Sequence, residues 1–334
     1  MPSDLATTMS STTLTSVQPL LAVEGGRITI RGDGFRLDRP LGVSIDEVPA
    51  RVVFASRTRI VVVVPAEHEG GRAAIKVLAA PGETPYVSIG MRWATGLHQV
   101  DNPVFDAKGD LFVTYSGARG QEAPVSVFRV TRSGTREPFG SGIVNATSMA
   151  LGPDGHLYVS SRFEGVVYRL SESGAHEQVA SDLGVSCGLA FDEDGAMYVG
   201  DRSGTIFRVH RGRAAVFATL PPSVAAFHLA MNPEQELFVT APTLDSYDHI
   251  YRIDRQGQVR AMAAPFGRPQ GLAFSPEGVL HVVEALAGAS GVYRFAHLDA
   301  EPELLLSGAA LVGLAFGPGG EMVVASGDTA YRFE

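Results

Sequence analysis

Six short strings of one kind recur in residues 91–334, and they constrain the fold more than any other feature of the chain. VFRV, VYRL, IFRV, IYRI, VYRF and AYRF are centred on Arg129, Arg169, Arg208, Arg252, Arg294 and Arg332, at spacings of 40, 39, 44, 42 and 38 residues. A second series precedes them in phase: Leu111-Phe-Val113, Leu157-Tyr-Val159, Met197-Tyr-Val199, and the strings starting at Leu237, Leu280 and Met322. Before that comes a third, as in Ser148-Met-Ala-Leu151, Gly188-Leu-Ala-Phe191 and Gly271-Leu-Ala-Phe274, followed by turns such as Gly152-Pro-Asp-Gly155. A period near 40 with three or four short strands per copy predicts one four-stranded propeller blade per repeat. Polar alternation is relaxed within these strings because blades packed face to face bury part of both faces.

The sixth copy stops at Glu334, after its third strand. Arg92-Trp-Ala-Thr-Gly-Leu97 aligns without gaps on Gln178–Leu183, each the same distance before a Phe at the end of an inner strand. That segment therefore supplies the missing outer strand and closes the ring, which removes an open edge. The expected architecture is all-β: an Ig-like sandwich, then a six-bladed β-propeller closed by an N-terminal strand. The repeated arginines are expected to lay their stems on a blade with the heads in water.

Upstream, β-branched runs at Arg27–Arg31, Arg51–Phe54, Arg59–Val64 and Ala73–Val77 alternate with Gly, Pro and Asp turns, which predicts a small antiparallel sandwich over residues 17–90. Nine Ser or Thr between Ser3 and Ser16 predict a disordered tail over residues 1–16. The sandwich resembles the immunoglobulin-like TIG/IPT domain. The likeness is carried by Gly25-Gly-Arg-Ile-Thr-Ile-Arg-Gly-Asp-Gly-Phe35, by Pro49-Ala-Arg-Val-Val53 and Ser56 to Pro65, and by Gly70-Gly71. It implies a spacer, a dimerisation surface or a protein-binding module without chemistry of its own.

Composition narrows function by exclusion. A formal charge of −9, from 27 basic and 36 acidic residues, leaves no footprint for nucleic acid. The single cysteine, Cys187, excludes an internal disulfide and multi-cysteine metal centres. The opening MPSDLATTMSSTTLTS has neither a basic nor an apolar leader region, and Leu304–Gly317 is too short to span a bilayer, so the expected location is cytoplasmic with no membrane partner.

In a propeller the inner strands begin, and the second strands end, at one rim of the central channel. The repeat then predicts two rings of side chains there. The first is Asp101, Thr147, Cys187, Phe227, Gln270 and Val312; the second is Tyr115, Ser161, Asp201, Ala241, Glu284 and Ser326. A funnel lined by them is the expected pocket for a small molecule. Glu284, Asp201 and His228 are the candidate catalytic groups, and Tyr115, Thr147, Cys187 and Phe227 the candidate substrate contacts. Asp101 and Gln270 are the candidate oxygen ligands of a metal. Each has a competing structural role: an acid ending a second strand can cap backbone N–H groups, and Cys187 can be an apolar filler.

The strings of the form G-L-A-F-x-x-x-G-x-[LM]-[YH]-V resemble those of the six-bladed NHL and gluconolactonase-like (senescence-marker-protein, luciferin-regenerating) propellers. That family holds a divalent metal with a Glu in E-G-P-x-W, an Asn and an Asp. Here Asp101-Asn-Pro-Val-Phe105 is a variant of the first string, Arg268-Pro-Gln270 carries a neutral Gln at the acid's place, and Phe227-His228 lacks the Asn. With two of the three metal positions changed, the resemblance implies weak or absent binding of a divalent cation such as Ca²⁺, at roughly 10⁻⁴ M or poorer. Streptogramin-lyase-like propellers are similar in placing a rim His and Glu, as His228 and Glu284 would be. The likeness implies a hydrolase (lactonase or esterase) or a lyase acting on a small oxygen-rich molecule at the rim. The alternative is a non-catalytic NHL-type platform for a protein or glycan partner.

Overall fold

The computed structural model describes residues 12–38, 41–78, 80 and 84–333. Among these residues there is no helix, hence none long and apolar enough to cross a membrane. The chain divides into two units, Met1–Gly90 with Leu306–Gly308, and Met91–Leu305 with Ala309–Glu334.

In the first unit one antiparallel sheet runs Thr13–Gln18, Arg27–Asp33, Arg59–Val63, Arg51–Ala55. Tyr86–Ile89, Gly71–Val77 and Val43–Ile45 pair in turn as the second layer. Ile28, Ile30, Ile45, Ile60 and Ile75 are fully buried between the layers. The expected tail over residues 1–16 needs correction at its C-terminal end, because Thr13–Ser16 open a strand; residues 1–11 lie outside the described residues. Serine and threonine counts misread this segment. Its threonines are β-branched, and a register shift between Leu14 and Ser16 brings both Leu14 and Val17 onto the core.

In the second unit the described residues form six successive groups of four strands. One group shows the pattern: Ala146–Leu151, Leu157–Ser161, Val166–Leu170 and His176–Ala180, all antiparallel. The last is completed from the other end of the unit: Met91–Ala94 pairs with Ala330–Phe333, outside Met322–Ser326 and Leu311–Phe316. This is the expected propeller, its ring closed by the N-terminal strand.

The recurring motif now has a physical meaning. In three of the groups the aromatic or His in the middle of the second strand meets, edge-on, the Phe ending the inner strand of the next group. They are Tyr158 with Phe191 at 4.8 Å, Phe238 with Phe274 at 5.1 Å, and His281 with Phe316 at 4.9 Å. These T-shaped pairs fix how neighbouring sheets stack. Five of the six repeated arginines reach acids, among them Arg129 to Glu137 at 2.6 Å, Arg169 to Asp154 at 2.7 Å and Arg252 to Glu236 at 2.8 Å. All are partly exposed, so each pair contributes little to stability.

Candidate functional site at the mouth of the channel

The acids that end the second strands are committed to the main chain. Glu284, buried, accepts N–H bonds from Gly267 at 2.6 Å, Arg268 at 2.8 Å and Leu286 at 2.7 Å. Asp201, also buried, accepts from the Val185 N–H at 2.8 Å and from the Ser203 hydroxyl. At the equivalent place Ser161 donates to the Val144 carbonyl at 2.5 Å. One role therefore recurs in three of the six groups: the side chain ending the second strand clips the loop that leads into the inner strand. Glu284 and Asp201, expected as catalytic groups, thus play the competing structural part at these positions, as buried acceptors of main-chain N–H groups.

Asp101 and His228 do come together. They belong to the first and fourth of the six groups, and His228 Nδ1 lies 2.5 Å from Asp101 Oδ1, which also accepts the Asn102 N–H at 2.7 Å. Both side chains are almost wholly buried, His228 at 0% and Asp101 at 4%. A carboxylate only accepts, so Nδ1 carries the hydrogen, and in the neutral imidazole Nε2 then keeps the lone pair. That Nε2 is buried without a hydrogen-bond partner. Asn102 knots the same level: its amide donates to the Leu272 carbonyl at 2.8 Å and accepts the Leu314 N–H at 3.0 Å. A Cβ on Gly271 or Gly313 would run into Asn102, which is why the inner strands carry glycine there.

One residue nearer the strand starts, the channel opens into a cavity of about 280 Å³. Its polar wall is Gln99, Arg162, Cys187, Arg202 and Gln270; its apolar wall includes Val100, Val185, Val224, Ala225 and Val312. Of the expected substrate contacts Cys187 lines this cavity, as does Gln270, expected as a metal ligand, and the others lie outside its wall. Thr147 is buried and donates to the Asn145 carbonyl at 2.7 Å, Phe227 is fully buried in the core, and Tyr115 packs edge-on against His98. Arg162 and Arg202 were not anticipated. Each stands one place after a residue of the second ring, so the signal was present but read one position early, and a one-residue step turns a side chain to the other face.

Arg202 is held in place: Nε donates to the Ser223 carbonyl at 3.1 Å and Nη2 to the Val224 carbonyl at 2.8 Å. Gln99 is spent, donating to the Asp101 carbonyl at 2.7 Å and accepting the Thr114 N–H at 3.0 Å. Arg162 and the Gln270 side chain have no hydrogen-bond or ion-pair partner among the described residues. Burial pushes the Cys187 thiol up to about 12, Asp101 adding to the rise and Arg162 and Arg202 opposing it. A thiol so protonated is not a nucleophile near neutral pH. Ellman's reagent at pH 8 should therefore leave the native protein unlabelled and titrate one thiol after denaturation. Stoichiometric labelling of the native chain within minutes would contradict the burial of this side chain.

The donor set does not fit the divalent cation implied by the family resemblance. Among the described residues no group of three or more His, Cys, Asp or Glu is arranged to hold a metal. Asp101 is the one carboxylate of the first ring of side chains, and its Oδ1 accepts from His228 and Asn102. Hard cations take six to eight oxygens, so no step is routed through a metal here.

Comparison with known proteins agrees with this geometry at the level of fold. Residues 12–88 match the IPT/TIG domain family. Among solved structures the chain is similar to a nutrient-binding protein from Bacteroides ovatus described as auxiliary, at 11% identity and a TM-score of 0.56, covering 97% of this chain and 98% of that one. A protein assigned as a gluconolactonase is 18% identical with a TM-score of 0.60, covering 73% and 91%. Virginiamycin B lyase from Staphylococcus aureus is 14% identical with a TM-score of 0.53, covering 92% and 98%. A search of curated proteins finds no match.

Proposed function

We propose that the second unit is a six-bladed propeller of the gluconolactonase-like group that binds a small, oxygen-bearing molecule at the channel mouth, as a binding protein first. One observation carries this: the wall of the cavity of about 280 Å³ carries Arg162 and Gln270 with unspent hydrogen-bonding capacity, while the acids expected to do chemistry are bonded to the main chain. The likeness to a nutrient-binding protein over nearly the whole chain supports the same reading.

A second reading is favoured by the Asp101–His228 pair. A His whose Nδ1 is held by a carboxylate presents Nε2 as a general base, the arrangement that hydrolases and lyases use. Its burial means that it acts only on a molecule seated deep in the funnel. The two readings part on a single variant, since His228→Gln abolishes turnover if His228 is the base and leaves binding in place if the funnel only binds.

Filling the funnel tests the primary reading. A thermal-shift panel of sugar acids, lactones, short carboxylates and their amides should contain stabilising compounds, and Ala225→Trp should remove every such shift while the unliganded protein melts within a few degrees of wild type. Shifts that survive Ala225→Trp unchanged would place binding elsewhere and sink the proposal.

A further inference from the structure

We infer that the ligand of the funnel is a small oxyanion, a carboxylate or a phosphate, carried on a compact apolar body and recognised by Arg162 with Arg202 and Gln270. This rests on the reading of the funnel as a ligand site and names the class of molecule that fills it.

The charge at the cavity runs against the charge of the molecule. The chain carries −9 overall, yet the cavity wall holds two arginines and no acid. Five of the six arginines of the repeat find carboxylates: Arg129 with Glu137, Arg169 with Asp154, Arg208 with Asp192, Arg252 with Glu236, Arg294 with Glu303. Arg162 has no such partner among the described residues, although it is only half-exposed. A partnerless arginine on an open surface is ordinary; one on a concave wall beside a second cation is unbalanced until an anion arrives. Low-dielectric walls also focus the field of the two cations into the cavity.

The donors are of the kind an oxyanion needs. A guanidinium offers N–H groups in a planar fork that matches a carboxylate or phosphate in bidentate fashion. Arg202 is pre-positioned by the Ser223 and Val224 carbonyls, so little ordering remains for the moment of binding. Gln270, whose side chain is unpartnered among the described residues, adds a neutral donor on the same wall. Apart from Gln99, which is spent, and the buried Cys187 thiol, the remaining side chains of the wall are aliphatic, among them Val100, Val185, Ala225 and Val312, and offer nothing to a second charge or a row of hydroxyls. At about 280 Å³ the cavity lies at the lower edge of the usual range for ligand pockets, which selects a compact molecule.

Calorimetric titration of the full chain with 3-methylbutanoate, phenyl phosphate and the neutral 3-methylbutanamide tests this. At low salt at least one of the two anions should bind roughly tenfold or more tightly than the amide, and added salt should weaken it. Which anion binds more tightly identifies the source of the oxyanion. Arg162→Gln should lower anion affinity about tenfold and leave the melting temperature unchanged, because Arg162 holds nothing in the fold; Arg162→Lys should restore part of the loss. If the amide binds as well as both anions, or Arg162→Gln binds them like wild type, the anion is wrong while the funnel stands. If none of the three probes binds and the thermal-shift panel is also silent, the funnel and the anion fall together.

Discussion

Replacing Asp101 by alanine is expected to lower the stability of the propeller by about 3 kcal/mol or more, while Asp101→Asn costs about 1 kcal/mol. The reason is the position of this carboxylate rather than its charge alone. His228 is fully buried and its Nε2 already lacks a partner, so removing Asp101 leaves both ring nitrogens unsatisfied in the interior. The same carboxylate holds the Asn102 N–H, and Asn102 in turn bonds to Leu272 and Leu314 in two further groups of strands. An asparagine oxygen still accepts from both His228 and Asn102, hence the milder effect. For a unit of this size the alanine variant should melt about 6–12 °C below wild type. Alanine and asparagine variants that melt together would show that the pair contributes no more than its packing.

Excising residues 91–97 should have the larger effect, a loss of well over about 10 °C or of cooperative unfolding altogether. Met91–Ala94 is the outer strand that completes the last group, through Met91 with Arg332 and Ala94 with Ala330. Ala94 and Leu97 join one core with residues of the first and last groups, among them Phe105, Val113, Ala315 and Val323. Trp93 packs on Phe105, with the Arg332 guanidinium over its ring. Deletion would expose that core and leave Ala330–Phe333 as an unpaired edge. The first unit has a separate core built on Ile28, Ile60 and Ile75 and should keep its own transition. A deleted chain that melts like the intact one would refute closure by this strand.

Both expectations draw on features that periodicity exposes well. A repeat of about 40 residues states the number of sheets, the order of strands and the place of the closing strand, because every copy must solve the same packing problem. The site was less legible, for a reason visible in particular residues. Register along a strand end is known from a repeat only to within one position, and one position separates Phe227 in the core from His228 on Asp101. It also separates Ser161 and Asp201, which clip backbone, from Arg162 and Arg202 on the cavity wall. The acids were conspicuous because charge is rare at strand ends, but Asp201 and Glu284 are there to receive N–H groups. Nothing local in the sequence distinguishes a carboxylate that caps a loop from one that faces a ligand. In the first unit the opening strand was hidden by serine and threonine counts, which weigh polarity and ignore the spacing of Leu14 and Val17.

Whether the channel mouth is a ligand site is tested most directly by hydrogen–deuterium exchange of the full chain with and without saturating 3-methylbutanoate or phenyl phosphate. Exchange should slow at residues 99–101, 162–164, 185–187 and 223–226, which carry the cavity wall, and stay unchanged over residues 12–88. Protection confined to other segments, or no protection at saturation by either anion, would contradict a ligand site at the mouth of the channel.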